Sequence, residues 1–127
     1  MLWKIVFTLL AAVFAVVLSD MPGGVTDIDI NDKGVQHAVH FAIEQHNRNT
    51  DDVYIYRVVE IVRAQIQVVE GIKYIIIVKI IITSCRKDHY DDRCGFIPHP
   101  NARPYQCTFT VWSRPWINDI RLTDDTC

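Results

Sequence analysis

The sequence predicts an α+β domain in which one long helix packs across an antiparallel sheet of about four to five strands. Near the N-terminus, apolar residues recur at three- and four-residue steps, which is the period of an amphipathic helix. Later segments alternate apolar and polar residues, which is the period of half-buried strands. A helix that precedes several consecutive strands needs an apolar surface to cover, and one face of a sheet provides it.

The first 19 residues have the pattern of a secretory signal peptide. Lys4 precedes an apolar run from residue 5 to residue 18, and Val17 and Ser19 are the small residues before a cleavage site. The run is shorter than the roughly 20 residues that span a membrane, which favours a signal peptide over a stable anchor. We therefore expect residues 1–19 to be removed, residues 20–127 to form one domain, and the protein to be secreted.

The predicted helix begins after Asn31 or Asp32, because either side chain can cap its first turn. Residues 21–25, ahead of it, have no periodicity and are expected to be mobile. The polar residues 47–52 end the helix. Its buried face is predicted to contain Val35, Ala38, Val39, Ala42, Ile43 and His46.

The strands follow from alternation and from turn residues. Residues 61–68, extended upstream to residue 54, predict a first strand, and its buried face is Val62, Ala64, Ile66 and Val68. After Gly71, residues 72–85 are apolar on both faces, so this strand is expected at the centre of the sheet with both faces covered. The pattern of residues 86–104 predicts a loop. Residues 107–111 and 120–126 predict two further strands, which are joined by a turn at residues 115–119.

The net charge and the cysteines argue against nucleic-acid binding and against a zinc site, and they predict disulfides. The chain has a formal charge of −2, and loss of Lys4 with the leader makes it −3, so nothing suggests nucleic-acid binding. In an oxidising compartment the four cysteines predict two disulfides. Of the three pairings, their order favours two local bridges, Cys85 with Cys94 and Cys107 with Cys127. A zinc site is disfavoured because no two cysteines are spaced as CxxC.

Two turns are the candidate functional elements. The first, residues 67–71, ends in a glycine between two strand patterns, and the second contains Pro115 and Trp116. A tryptophan exposed beside a proline is typical of a surface that meets a partner. Together the turns suggest two hairpin tips on one sheet, which is a binding edge rather than a reaction site.

These features, in this order, resemble the type 2 (secreted) cystatins, which inhibit papain-like cysteine proteases. The resemblance covers essentially the whole mature sequence. The motifs that carry it are an N-terminal glycine, a Q-x-V-x-G hairpin and a Pro-Trp hairpin, here Gly23 and Gly24, then Gln67, Val69 and Gly71, then Pro115 and Trp116. The cysteines fall in the family's order, which implies the same two local disulfides.

The resemblance implies that the N-terminal segment and the two hairpins form one apolar wedge, which fills the cleft of a cathepsin-type protease. It implies no enzymatic activity, no cofactor and a monomer, with a domain-swapped dimer as the alternative. The residues that would contact the protease are Met21, Pro22, Gly23, Gly24, Gln67, Val68, Val69, Glu70, Gly71, Pro115 and Trp116.

The sequence departs from the family pattern at three positions. Only residues 20–22 precede Gly23 after cleavage, and Glu70 places a carboxylate within the first hairpin. Asp51 stands where many secreted cystatins have the asparagine that legumain-type proteases recognise. We therefore expect little or no inhibition of legumain.

Parts of the sequence suggest three other interpretations, which are assembly, a metal site and an enzyme. The β-branched residues 74–83 would promote aggregation if uncovered, so the alternative function is a weak inhibitor or non-inhibitor that acts through domain-swapped or amyloid-like assembly. His37 and His40 are spaced like a metal-ligand pair, but no carboxylate or cysteine cluster accompanies them. Ser84 and Ser113 have no base at a motif spacing, which disfavours an enzyme.

Overall fold

In the computed structural model, which describes residues 24–88 and 97–127, one helix packs against a five-stranded antiparallel sheet. The elements are β1 (Val25–Asp27), α1 (Lys33–Asn49), β2 (Tyr54–Val69), β3 (Gly71–Arg86), β4 (Tyr105–Arg114) and β5 (Asp119–Thr126). The strands lie side by side in chain order. The predicted fold class is confirmed. The expected signal peptide, Met21, Pro22, Gly23 and Cys94 lie outside the described residues.

Helix α1 starts where its sequence provides a cap. The Asp32 carboxylate accepts a hydrogen bond of 2.9 Å from the backbone amide of Gly34, which satisfies one of the free donors of the first turn. One face of the helix is buried, as the periodicity predicts, and it ends on His46. The helix packs on an inner sheet face that contributes the buried residues Ala64, Ile76, Val78, Ile80, Phe109 and Val111.

The inner face of β2 differs from the prediction. The pairing of β2 with β3 shifts between Val58 and Glu60 and again between Ile61 and Arg63. Each shift reverses which side chains face inward, because the side-chain period of a strand is two. Ile61 therefore packs against the core, Val62 is exposed, and Ala64 is again buried. Val68 is also exposed, because it lies at the hairpin end of the strand.

Strand β3 occupies the centre of the sheet, between β2 and β4. The prediction that both of its faces are covered holds for only part of its length. Ile81 is buried near the end of β3, where residues 97–99 pair with the strand and the backbone amide of Ser84 donates to the Ile97 carbonyl at 2.9 Å. Nearer the start of β3, Ile75 and Ile77 on the outer face are only partly buried.

The short strand β1 was not predicted, and Val25 was expected to be mobile. Instead Val25 pairs with Gln67, and the three residues of β1 run antiparallel to residues 65–67 of β2. After β1, the backbone amide of Ile28 donates to the Ala64 carbonyl at 3.0 Å. A strand of three residues is too short to show periodicity, and its position depends on the edge that β2 offers.

The end of the sheet opposite the β2–β3 turn is fixed by a disulfide and by a polar pair whose histidine is buried. Cys107 is bonded to Cys127, as predicted. Cys85 is buried and disulfide-bonded, and its predicted partner lies outside the described residues. His46 lies 2.7 Å from Asp125, measured from Nδ1 to Oδ2, which joins the end of α1 to the last strand. Within residues 24–88 and 97–127, no helix is long and apolar enough to cross a membrane.

Candidate functional site

Both predicted hairpin turns lie at the same end of the sheet. Val69 pairs with Gly71, so Glu70 alone makes the turn between β2 and β3. Ile72, one residue farther along β3, pairs with Ser113 of β4, two residues before Pro115. The register of three neighbouring strands therefore brings the β2–β3 turn beside the β4–β5 turn.

Gly71 is needed where the two hairpins approach each other. Its φ of +90° lies in the region that residues with a side chain rarely adopt. A Cβ at this position would overlap the Ser113 carbonyl oxygen and would lie 2.8 Å from Cγ of Arg114. The glycine thus permits both the tight turn and the close approach of the neighbouring strand.

The second turn is a single 3₁₀ turn, Pro115–Ile117. Proline stands at its start, where its fixed φ suits a helical turn and its missing N–H costs nothing. Asn118 has a left-handed conformation with φ of 50°, and its backbone amide donates to the Pro115 carbonyl at 3.1 Å. This geometry leaves Trp116 and Ile117 exposed at the tip.

Exposed apolar side chains converge at this end of the sheet. Val68 and Val69 come from the first hairpin, and Trp116 and Ile117 come from the second. We call these four residues the apolar tip. Val25 is also exposed and pairs with Gln67 beside them, so the chain enters the sheet next to the first hairpin. Clustered exposed apolar residues are typical of a surface that a partner covers.

The structure brings the predicted contact residues that it describes to one end of the molecule. Gly24 leads into β1, Gln67 and Glu70 belong to the first hairpin, and Pro115 and Trp116 belong to the second. The side chains of Glu70 and Trp116 are both exposed. Asp51 lies just before the start of β2, at the opposite end of the sheet.

Sequence reasoning missed a side-chain bridge between the hairpins. Trp112 of β4 donates its indole N–H to the Glu70 carbonyl oxygen at 2.7 Å. Arg114 stacks on the same ring, with its guanidinium carbon 4.3 Å from the ring centroid. Alternation could place Trp112 on the outer face, but only the register of β3 with β4 places it beside Glu70.

An acidic residue at the base of the second hairpin fixes this arginine. Asp119 accepts hydrogen bonds from Arg114 and, at 3.0 Å, from Nε of Arg121. The hydrogen bonds from Arg114 and from Arg121 lower the pKa of the Asp119 carboxyl below its ordinary value.

One group of potential metal ligands comes together within the described ranges, 24–88 and 97–127. It consists of His46, Asp125 and Cys127, whose ligand atoms lie within 4.8 Å of one another. The Cys127 sulfur is bonded to Cys107, which removes the thiolate that binds zinc. His40, which the sequence places in a possible metal-ligand pair with His37, does not belong to this group. Its Nε2 lies 3.2 Å from Oε1 of Glu44 on the helix surface.

Comparisons with known proteins are consistent with this arrangement. The cystatin domain model matches residues 23–116. A cystatin of Oncorhynchus keta is 44% identical over 126 residues, which cover 98% of this chain and 97% of that protein. Cystatin-C of Paralichthys olivaceus is 47% identical over 125 residues, which cover 97% of this chain and 98% of the relative.

Solved structures show the same fold. Dimeric human cystatin F superposes with a TM-score of 0.73 at 29% identity, covering 84% of this chain and 86% of that one. The salivary cystatin of the soft tick Ornithodoros moubata superposes with a TM-score of 0.69 at 21% identity, covering 84% and 98% of the two chains.

Proposed function

Because this chain belongs to the cystatin family, whose members are protease inhibitors and not enzymes, we propose that it is a secreted, reversible inhibitor of papain-like cysteine proteases. The observation that carries the proposal is the convergence of two hairpins into the apolar tip, beside the point where the N-terminal segment enters the sheet. In this proposal the tip enters the active-site cleft and covers the catalytic cysteine.

The tip is suited to tight binding because its shape is already set. The first hairpin is a one-residue turn between paired strands, and the second is a hydrogen-bonded 3₁₀ turn that begins with proline. A surface that is ordered before binding loses little conformational entropy in the complex, so more of the contact energy appears as affinity.

The two hairpins have different roles in the proposed complex. Val68 and Val69 approach the catalytic centre with the Glu70 turn, and Trp116 lies on the leaving-group side of the cleft. A large, rigid indole is the type of side chain that anchors an interface, because it covers much apolar surface with few rotatable bonds. Met21, Pro22 and Gly23 would occupy the substrate-side subsites ahead of β1.

Glu70 places a carboxylate beside the apolar tip of the proposed interface. Its carboxylate makes no hydrogen bond or ion pair to the residues in the described ranges, and it is exposed. Desolvation of an unpaired carboxylate costs several kcal/mol, so the side chain must stay at the solvated rim or meet a cationic group of the protease.

The alternative function, assembly into amyloid-like polymers, is not favoured. The β-branched residues 74–83 lie within the central strand, which pairs with β2 on one side and along most of this stretch with β4 on the other. Backbone groups that are already paired cannot template another chain. We propose a monomer as the active form.

A titration of papain with purified monomer tests the proposal. A known concentration of active papain is mixed with increasing protein, and residual hydrolysis of a small fluorogenic peptide is measured. The proposal expects full, reversible inhibition at one inhibitor per active site. The absence of inhibition at micromolar monomer would refute it.

A further inference from the structure

We propose that Trp112 is a positioning residue that couples the two hairpins, so that they enter a protease cleft as one rigid body. The proposal rests on the proposed inhibitory function, because it concerns how the same tip is held. Trp112 itself lies on the outer face of β4, outside the apolar tip, and is not assigned a contact with the protease.

The bridge joins a side chain of one hairpin to the backbone of the other. The indole Nε1 of Trp112 donates to the carbonyl oxygen of Glu70 at 2.7 Å, across 42 positions of sequence. Glu70 is the only residue between β2 and β3, so its carbonyl belongs to the turn itself. The hydrogen bond therefore fixes the orientation of the peptide group that follows Glu70.

The ring of Trp112 is held in turn by cationic side chains. Arg114 lies over the ring at 4.3 Å from the centroid, and Lys73 lies at 6.0 Å. A guanidinium stacked on an indole is held by the ring's electron density and limits the orientations that the ring can adopt. The nitrogen of the indole is thereby kept directed toward the first hairpin.

Arg114 is itself anchored at the base of the second hairpin. Its side chain and that of Asp119 are both only 18% exposed, and they form an ion pair across the turn, which Arg121 extends. The contacts thus run without interruption from β5, through Asp119, Arg114 and Trp112, to the Glu70 turn.

The arrangement complements the close approach at Gly71. There the backbone of Gly71 lies close to the Ser113 carbonyl, which sets the spacing of the hairpins. The Trp112 hydrogen bond acts one residue farther out, on the carbonyl of the turn itself. Without it, the turn would have to be ordered during binding, and affinity would fall by the entropy of that ordering.

The test compares Trp112→Phe with wild type in papain inhibition and in amide hydrogen exchange of the free protein. Phenylalanine keeps an aromatic ring for Arg114 but has no N–H donor. One hydrogen bond contributes about 0.5–1.5 kcal/mol net, so the inhibition constant should rise roughly 2- to 13-fold. The amide of Gly71 should exchange faster in the variant. Thr110→Ser, on the same outer face of β4, is the matched control and should change neither value.

A double-substitution cycle separates coupling from general loss of stability. If the hairpins act as one body, the fold-change caused by Trp116→Ala should be smaller in the Trp112→Phe background than in wild type. Asp119→Asn weakens the ion pair that holds Arg114 against the ring of Trp112. It tests the same coupling should Trp112→Phe fold poorly, and it should raise the inhibition constant less than Trp112→Phe does.

The outcomes distinguish this proposal from the function on which it rests. If wild type does not inhibit papain, the inhibitory function fails, and the coupling fails with it. If wild type inhibits and Trp112→Phe inhibits equally well, only the coupling is refuted. Fold-changes that simply multiply in the double-substitution cycle, which means that the two substitutions act independently, would also refute it.

Discussion

Replacement of Trp116 by alanine should weaken protease binding strongly and leave the stability of the free protein nearly unchanged. Trp116 is 60% exposed, so most of its surface is free to contact a partner. A tryptophan can bury up to about 250 Å² in total, so about 150 Å² remains available to a partner. At about 25 cal/mol per Å², full burial of that surface corresponds to roughly 3.8 kcal/mol.

Some of that free energy is lost when the side chain is ordered in the complex. Immobilising a side chain costs about 0.5–1.5 kcal/mol, which leaves roughly 2–3 kcal/mol. We therefore expect the papain inhibition constant of Trp116→Ala to rise by about 30- to 150-fold. The expected change in the urea midpoint is within error, because a substitution at an exposed position usually changes stability by less than about 0.5 kcal/mol.

A matched control comes from the opposite end of the sheet. Val53 is 52% exposed just before β2, so Val53→Ala removes apolar surface of similar accessibility away from the tip. It should inhibit papain as well as wild type does. Equal inhibition by wild type and Trp116→Ala, with both folded, would refute the assignment of Trp116 as an anchor.

Three further predictions concern the turn, the acid response and the second protease class. Gly71→Ala should destabilise the fold by about 1–3 kcal/mol in urea denaturation, because alanine is strained at that φ and its Cβ would overlap Ser113. The control Gly24→Ala should not change stability, because nothing lies within 4 Å of a Cβ at that position. The pKa of Asp119 is lowered in the folded state, so its carboxylate stabilises the fold above about pH 4, and that contribution is lost as the pH falls through the lowered pKa. In denaturation curves from pH 2.5 to 7, wild type should therefore exceed Asp119→Asn in stability at neutral pH and lose its advantage in acid. Because Asp51 replaces the expected asparagine, purified protein should not inhibit legumain, and nanomolar inhibition would contradict this.

Local patterns were sufficient to predict most of the fold. The helix face from Val35 to His46 and its cap at Asp32 follow from spacing and from side-chain chemistry within a few residues. The order of the strands follows from alternation and from turn residues. The bond between Cys107 and Cys127 was predicted because local bridges match the order of the cysteines.

Features that depend on register could not be predicted. The exposed position of Val62 arises from irregular pairing on either side of Ile61, which alternation alone does not reveal. The bridge from Trp112 to Glu70 depends on how β4 is aligned with β3. The proximity of the two turns was expected from the turn motifs and the family resemblance, and the order of β2, β3 and β4 as neighbours in the sheet provides it.

The most direct test of the account is amide hydrogen exchange of the free protein against its complex with papain. If both hairpins occupy one cleft, exchange should slow together at residues 68–71 and 116–118, and it should not change at residues 51–53. Slower exchange at only one hairpin, or at residues 51–53 instead, would show that the two turns do not form a single binding surface.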